Sequence, residues 1–175
     1  MYLSQEFKNN IMKKLGLFII AILFLAPAVN AQVNQDIKLG VSAGLPLGDV
    51  KDYSSFNLSV DAAYLFEVAD MVYVGPLVGY SHHFAKEYQG FKGDDIQHLP
   101  IAASGRINFG LENAMFFGAD LGYAVGITSG LDGGIYYRPK VGYDFGGAAV
   151  ILSYTGIDED NITVNSLNLG VEFSF

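Results

Sequence analysis

From Gln35 onward the chain repeats one pattern: apolar and polar residues alternate at every second position, glycine, aspartate or asparagine interrupts, and the alternation resumes. The final stretch, SLNLGVEFSF, sets Leu167, Leu169, Val171, Phe173 and Phe175 on one face and Ser166, Asn168, Gly170, Glu172 and Ser174 on the other. A period of two is the signature of a β-strand with one apolar and one polar side. Eight such strands are predicted, over 36–48, 56–68, 72–84, 97–109, 115–127, 135–146, 147–156 and 163–175. No stretch beyond residue 35 carries a helical period. An even number of strands closes an antiparallel meander.

The connections alternate in length. Residues 49–55, 85–96, 128–134 and 157–162 form longer polar loops, whereas 69–71, 110–114 and the Gly146-Gly147 junction are tight. Short turns at one end and longer loops at the other are the layout of a barrel threaded through an outer membrane, and a tilted strand of about 9–11 residues suffices to cross. The expected fold class is therefore all-β: an eight-stranded antiparallel up-and-down transmembrane β-barrel over residues 32–175.

In a soluble barrel the apolar face would point inward; in a membrane barrel it faces lipid. Two features favour the second arrangement. Aromatic residues gather toward strand ends, with Tyr64, Phe66, Phe109, Phe116, Phe117, Tyr143, Phe145, Phe173 and Phe175 on the turn side and Phe56, Tyr80, Phe84, Tyr137 and Tyr154 on the loop side. Such girdles sit at the two lipid–water interfaces. The polar face is also rich in small residues, among them Gly40, Gly44, Gly118, Gly122, Gly126 and Gly170, which leave room for longer charged side chains in a narrow lumen. A soluble binding barrel would instead line its cavity with mostly apolar groups. Leu65, Leu77 and Ile151 are exceptions that should point inward, and Pro76 and Pro139, lying inside strands, should mark bulges.

The first 31 residues are of another kind. Met12 precedes Lys13 and Lys14, an apolar run from Leu15 to Leu25, Pro27, and small residues up to Ala31. This is a secretory signal peptide, with cleavage expected after Ala31 and Met12 the expected initiator. The run is short of the roughly 20 residues a spanning helix needs. Its removal leaves 7 of the 10 basic and 17 of the 18 acidic residues, a net charge of −10. Nucleic acid is excluded as a partner on that balance. The absence of cysteine rules out disulfides and thiolate metal sites. Only 16% of residues are charged, against about a quarter in an average soluble domain, while 51% are apolar.

Signal peptide, eight amphipathic strands and a terminal phenylalanine together resemble the small outer-membrane β-barrel family, often labelled porin family proteins, and IKLGVSAGLPLG is similar to that family's first strand. The likeness spans the whole exported chain and rests on patterns rather than invariant residues. It implies residence in the outer membrane of a Gram-negative-type bacterium, contact with membrane lipid and lipopolysaccharide, and a monomer without cofactor. It also implies that Leu167, Leu169, Val171, Phe173 and Phe175 are the signal read by the barrel-assembly machinery. The chain ends at its eighth strand, so no wall-binding domain is expected after it.

The polar face carries the candidate chemistry. Lys38, Arg106, Arg138 and Lys140 share it with Asp36, Asp61, Glu67, Asp120, Asp144 and Glu172. Buried charges must be paired, so an interior network is expected, with Lys38 near Glu67 and Glu172 and Arg106 opposite Asp120. Such a network either plugs the barrel or gates an ion path, and the narrow lumen of eight strands favours the plug. His83 and His98 flank the longest loop at mirrored positions, with Asp94 and Asp95 above. They are candidates for a metal such as zinc, although no metal is expected. Asp158 to Asp160 lack the spacing of a calcium loop. Tyr88 and Phe91, with Lys86 and Lys92, suggest an adhesive surface. Catalysis on lipid A would need a histidine with a serine and an acid near the outer leaflet. Ser81 and His82 are adjacent and so on opposite faces, while His83 shares with Ser81 the face assigned to the lumen. No catalytic residue is assigned, and a non-enzymatic porin-like or structural surface protein is expected.

Overall fold

Alternation of this length forces the chain to choose which face meets which medium, and the computed structural model, which describes residues 35–88, 91–159 and 163–175, shows the choice. Eight long strands form a closed barrel: β1 (Gln35–Leu47), β2 (Ser54–Ala69), β3 (Val72–Ala85), β6 (Ile96–Phe109), β7 (Met115–Gly126), β8 (Gly133–Asp144), β9 (Ala148–Asp158) and β10 (Thr163–Ser174). Two further two-residue strands, β4 (Glu87–Tyr88) and β5 (Phe91–Lys92), make a small hairpin in the longest loop that is too short to register as alternation. Each barrel strand pairs antiparallel with its neighbours, and β1 closes on β10. Phe175 completes that seam, its amide donating to Ile37 O at 3.0 Å while Ile37 N donates to Phe175 O at 3.2 Å. The expected signal peptide, residues 1–31 with Met12, lies outside the described residues; among those described, no helix is long and apolar enough to cross a membrane.

The wall is inverted relative to a soluble barrel. Leu45, Leu121 and Leu169 point outward and are 65%, 63% and 62% exposed, and every strand presents a comparable apolar row. Lys38, Arg106, Asp120, Arg138, Lys140 and Glu172 point inward and are buried. Leu65 and Leu77 are buried inside, as their parity requires, and with Ala63, Ala102, Tyr136, Ile157 and Val164 they form an inner apolar cluster. Val50 joins it from a 3-10 turn, Gly48–Asp52, that folds down over the mouth. Aromatic pairs mark both rims: Tyr64–Phe66, Phe109–Phe117 and Tyr143–Phe145 at the turn end, Phe56–Phe84 and Tyr137–Tyr154 at the loop end. Phe116 departs from the expected girdle, because it faces the lumen and lies under the Arg106 guanidinium, 3.7 Å from ring centre to Cζ.

The expected bulges at Pro76 and Pro139 are not there. Register is unchanged across Pro76, from Ala63↔Leu77 to Phe66↔Val74, and across Pro139, from Tyr137↔Gly156 to Lys140↔Ser153. A proline lacks one donor but keeps an extended φ, so it removes a rung without demanding an extra residue. The true register shifts lie at Ser54/Phe56 and Glu67/Ala69, next to the strand ends. Gly146 and Gly147, at φ 89° and 111°, make the tightest turn, a conformation an L side chain resists.

Candidate functional site: the charged lumen and its mouth

The barrel order places β8 diametrically opposite β2, and β6 opposite β10. Both diameters are bridged by arginine. Arg138 on β8 donates from Nη1 and Nη2 to Asp61 Oδ2 and Oδ1 on β2, at 2.8 and 3.1 Å, while its Nε donates to Asp120 Oδ2 on β7 at 2.6 Å. Lys140 Nζ completes the cluster on Asp120 Oδ1 at 2.8 Å and on Ser104 Oγ at 3.2 Å. Arg106 on β6 ion-pairs with Glu172 on β10. The two bridges cross the lumen about a quarter-turn apart. A fork of donors matched to a carboxylate is the strongest pairing side chains offer, and each buried charge here has the partner that offsets its lost hydration.

Space for these long side chains comes from glycine. A Cβ on Gly40 would lie 2.9 Å from Asp61 Oδ1, and one on Gly118 would lie 3.0 Å from Lys140 Cε. Voids of about 20 and 10 Å³ lie beside the network.

The expected pairings are corrected at three points. Lys38 donates to Ser174 Oγ at 2.6 Å and pairs with Asp36 Oδ2 at 3.2 Å rather than with Glu172, which is held by Arg106. Glu67 sits half-buried at the turn end opposite Tyr73, whereas Lys38 stands opposite Ala63. Arg106 stands opposite Gly118, and Asp120 opposite Ser104, so that pair is one interior position out of step. Asp144 leaves the network altogether; its Oδ1 accepts from the amides of Gly146 and Gly147 at 2.7 and 3.2 Å and fastens the turn. Sequence order suggests partners on adjacent strands, as Arg138 and Asp120 are, but both guanidinium groups also reach across the lumen.

A neutral polar layer that the sequence did not flag lies toward the loops. Asn57 Nδ2 donates to Asn168 Oδ1 at 2.8 Å, and Asn168 Nδ2 donates to Thr155 Oγ1 at 3.0 Å and Ser166 Oγ at 3.1 Å. Their parity on the polar face was the available signal. His83, directly opposite Asn57 on the β2–β3 ladder, and His98 are both buried. The acid that meets His98 is Glu159, whose Oε1 lies 2.6 Å from His98 Nε2. Asp95 instead fastens the outer rim, with Oδ2 3.2 Å from His82 Nε2 and Oδ1 accepting from Ala85 N at 2.9 Å. Among the described residues, no group of three or more histidine or acidic side chains is placed to hold a metal. Lys86 Nζ donates to Lys51 O at 2.6 Å. The side chains of Tyr88, Phe91 and Lys92, and Asp160, lie outside the described residues.

Leu167, Leu169, Val171, Phe173 and Phe175 all face outward on β10 and its end. Ser81 is buried in the lumen, whereas His82 lies on the outer wall beside Tyr80 and Phe84.

No family model and no curated protein sequence matches the chain. Solved structures do share its fold. The outer membrane protein Ail of Yersinia pestis, in a phospholipid bilayer nanodisc, aligns over 82% of this chain and 100% of its own at 16% identity, with a TM-score of 0.58. Neisserial surface protein A aligns over 83% and 100% at 15% identity, with a TM-score of 0.51. A designed transmembrane β-barrel reaches the same score at 9% identity, over 80% of this chain and 95% of its own. The fold is that of the small eight-stranded outer-membrane barrels. That a designed barrel matches equally well underlines that the likeness is architectural.

Proposed function

We propose that this chain is an integral outer-membrane protein whose barrel spans the bilayer as a closed, non-conducting wall, and that its role is structural or surface-exposed rather than catalytic. The observation that carries this reading is the pair of crossed arginine bridges, which span both diameters of the lumen with Lys140 and Asp120 packed against one of them; the voids of about 20 and 10 Å³ beside them are each the size of about one water. Membrane lipid and lipopolysaccharide meet the apolar wall, the barrel-assembly machinery reads the outward residues of the last strand, and the closed ladder needs no second copy. Catalysis on membrane lipid is disfavoured because the wall separates Ser81, inside, from His82, outside. The test is single-channel recording of the refolded protein in a planar bilayer, with β structure confirmed by circular dichroism. Silence from the folded protein is expected; discrete steps would make it a pore.

A second reading, a loop-mediated binder, has support from the β4–β5 hairpin in the longest loop and from Tyr53, which is 67% exposed beside it. Ail is described as an attachment invasion locus protein. Deleting residues 86–95 removes cell attachment on this reading and leaves it unchanged otherwise.

A further inference from the structure

The mouth holds two imidazoles that the bridges do not use. His83 on β3 and His98 on β6 both point inward and are 1% and 0% exposed. The ladder sets His98 against Ser81 and His83 against Ile96, so the two histidines are diagonal neighbours on one face, a spacing that aromatic-sized side chains span. Glu159, just past β9 and three strands around the barrel, reaches His98 Nε2. Among the described residues, His98 Nδ1 and both ring nitrogens of His83 have no hydrogen-bond partner. A buried polar atom left unpaired has lost its hydration with nothing in return, so three on two neighbouring rings call for a ligand.

Proton accounting says which ligand. A carboxylate only accepts, so His98 Nε2 carries the hydrogen that bonds Glu159, and Nδ1 is the nitrogen left to give a lone pair to a metal, releasing any proton it holds. A histidine that gives one N–H to a carboxylate and offers its other nitrogen is the arrangement seen around bound metal ions. Neutral His83 offers a second lone pair. Imidazole nitrogen suits zinc and copper and not the oxygen-seeking calcium or magnesium.

We infer that His83 and His98 form a two-histidine site for a divalent transition metal of the zinc and copper class, inside the loop-end mouth, with Glu159 as the positioning residue that orients His98. Water and the hydroxyl of Ser81, buried opposite His98, complete the shell, because no third histidine or acid is placed to do so among the described residues.

The protein has three histidines, the third being His82 on the outer wall, so the test has an internal control. Untagged protein refolded in detergent is titrated with copper(II) and read by electron paramagnetic resonance, with zinc as competitor. One bound ion with coupling to two nitrogens is expected, displaced by zinc. His83→Ala and His98→Ala each weaken binding at least tenfold, while His82→Ala leaves it unchanged. Glu159→Gln weakens it by about 10- to 100-fold and alters the spectrum without removing the two-nitrogen coupling. Circular dichroism and the heat-dependent gel shift establish that each variant is folded, and the two-nitrogen signature of the unsubstituted protein stands as evidence without any variant. Absence of a stoichiometric ion from the folded protein, a single-nitrogen signal, or affinity unchanged in both alanine variants overturns the inference.

Discussion

Asp120 and Leu121 are consecutive, yet one sits between Arg138 and Lys140 and the other faces outward. Their substitutions should fail for opposite reasons. Asp120→Ala leaves Lys140 buried without a carboxylate and Arg138 with Asp61 alone, and is expected to cost about 3–5 kcal/mol. Leu121→Arg places a charge against hydrocarbon and is expected to cost about 2–4 kcal/mol, whereas an exposed position in water would tolerate it within about 0.5 kcal/mol. Urea unfolding from phospholipid vesicles measures both, and a neutral Leu121→Arg would contradict the lipid-facing assignment. Parity alone placed these residues, which is why the lumen's membership was legible from sequence. The partners were not. Asp61 and Arg138 are 77 positions apart on opposite walls, and no local pattern encodes which carboxylate lies across a diameter. Asp144 shows the same limit from the other side: its alternation is that of a lumen residue, and two neighbouring amides claim it first.

Among the elements, the last strand has the clearest dependence on a single residue. Phe175 makes both backbone bonds to Ile37 at the seam, so its deletion removes the final rung of closure as well as an outward aromatic. Deletion of Phe175 is expected to lower the yield of heat-shiftable barrel in cells several-fold, whereas Leu169→Ala, in mid-strand, leaves closure intact; equal yields from both would sink the idea. Glycines test the packing between elements. Gly118→Val thrusts a branched side chain toward Lys140 and the Gly105 carbonyl, and it should destabilise by more than the about 1 kcal/mol typical of a point substitution. Strand existence, order and the alternation of loops with turns followed from period two and from turn residues. The hairpin β4–β5 and the unshifted register at the prolines did not, because two-residue strands carry no period and a missing donor does not reveal whether the chain bulges.

For the barrel as a whole, silence in a bilayer is expected to persist in Lys140→Ala, which leaves both diameters bridged. Arg106→Ala combined with Arg138→Ala should give conductance steps, since it removes both spans at once. A silent, folded double variant would mean that the mouth, where Val50 and the His98–Glu159 contact close over the lumen, is the true seal.

The crossed guanidinium spans bear on mechanics. A hollow cylinder of eight strands ovalises when squeezed from the side, but spokes tied at right angles resist flattening along either axis, so lateral pressure from crowded lipid would be carried through the centre rather than around the rim. The barrel is in effect a spoked wheel drawn out into a rod, stiffened in cross-section where Arg138 and Arg106 span it.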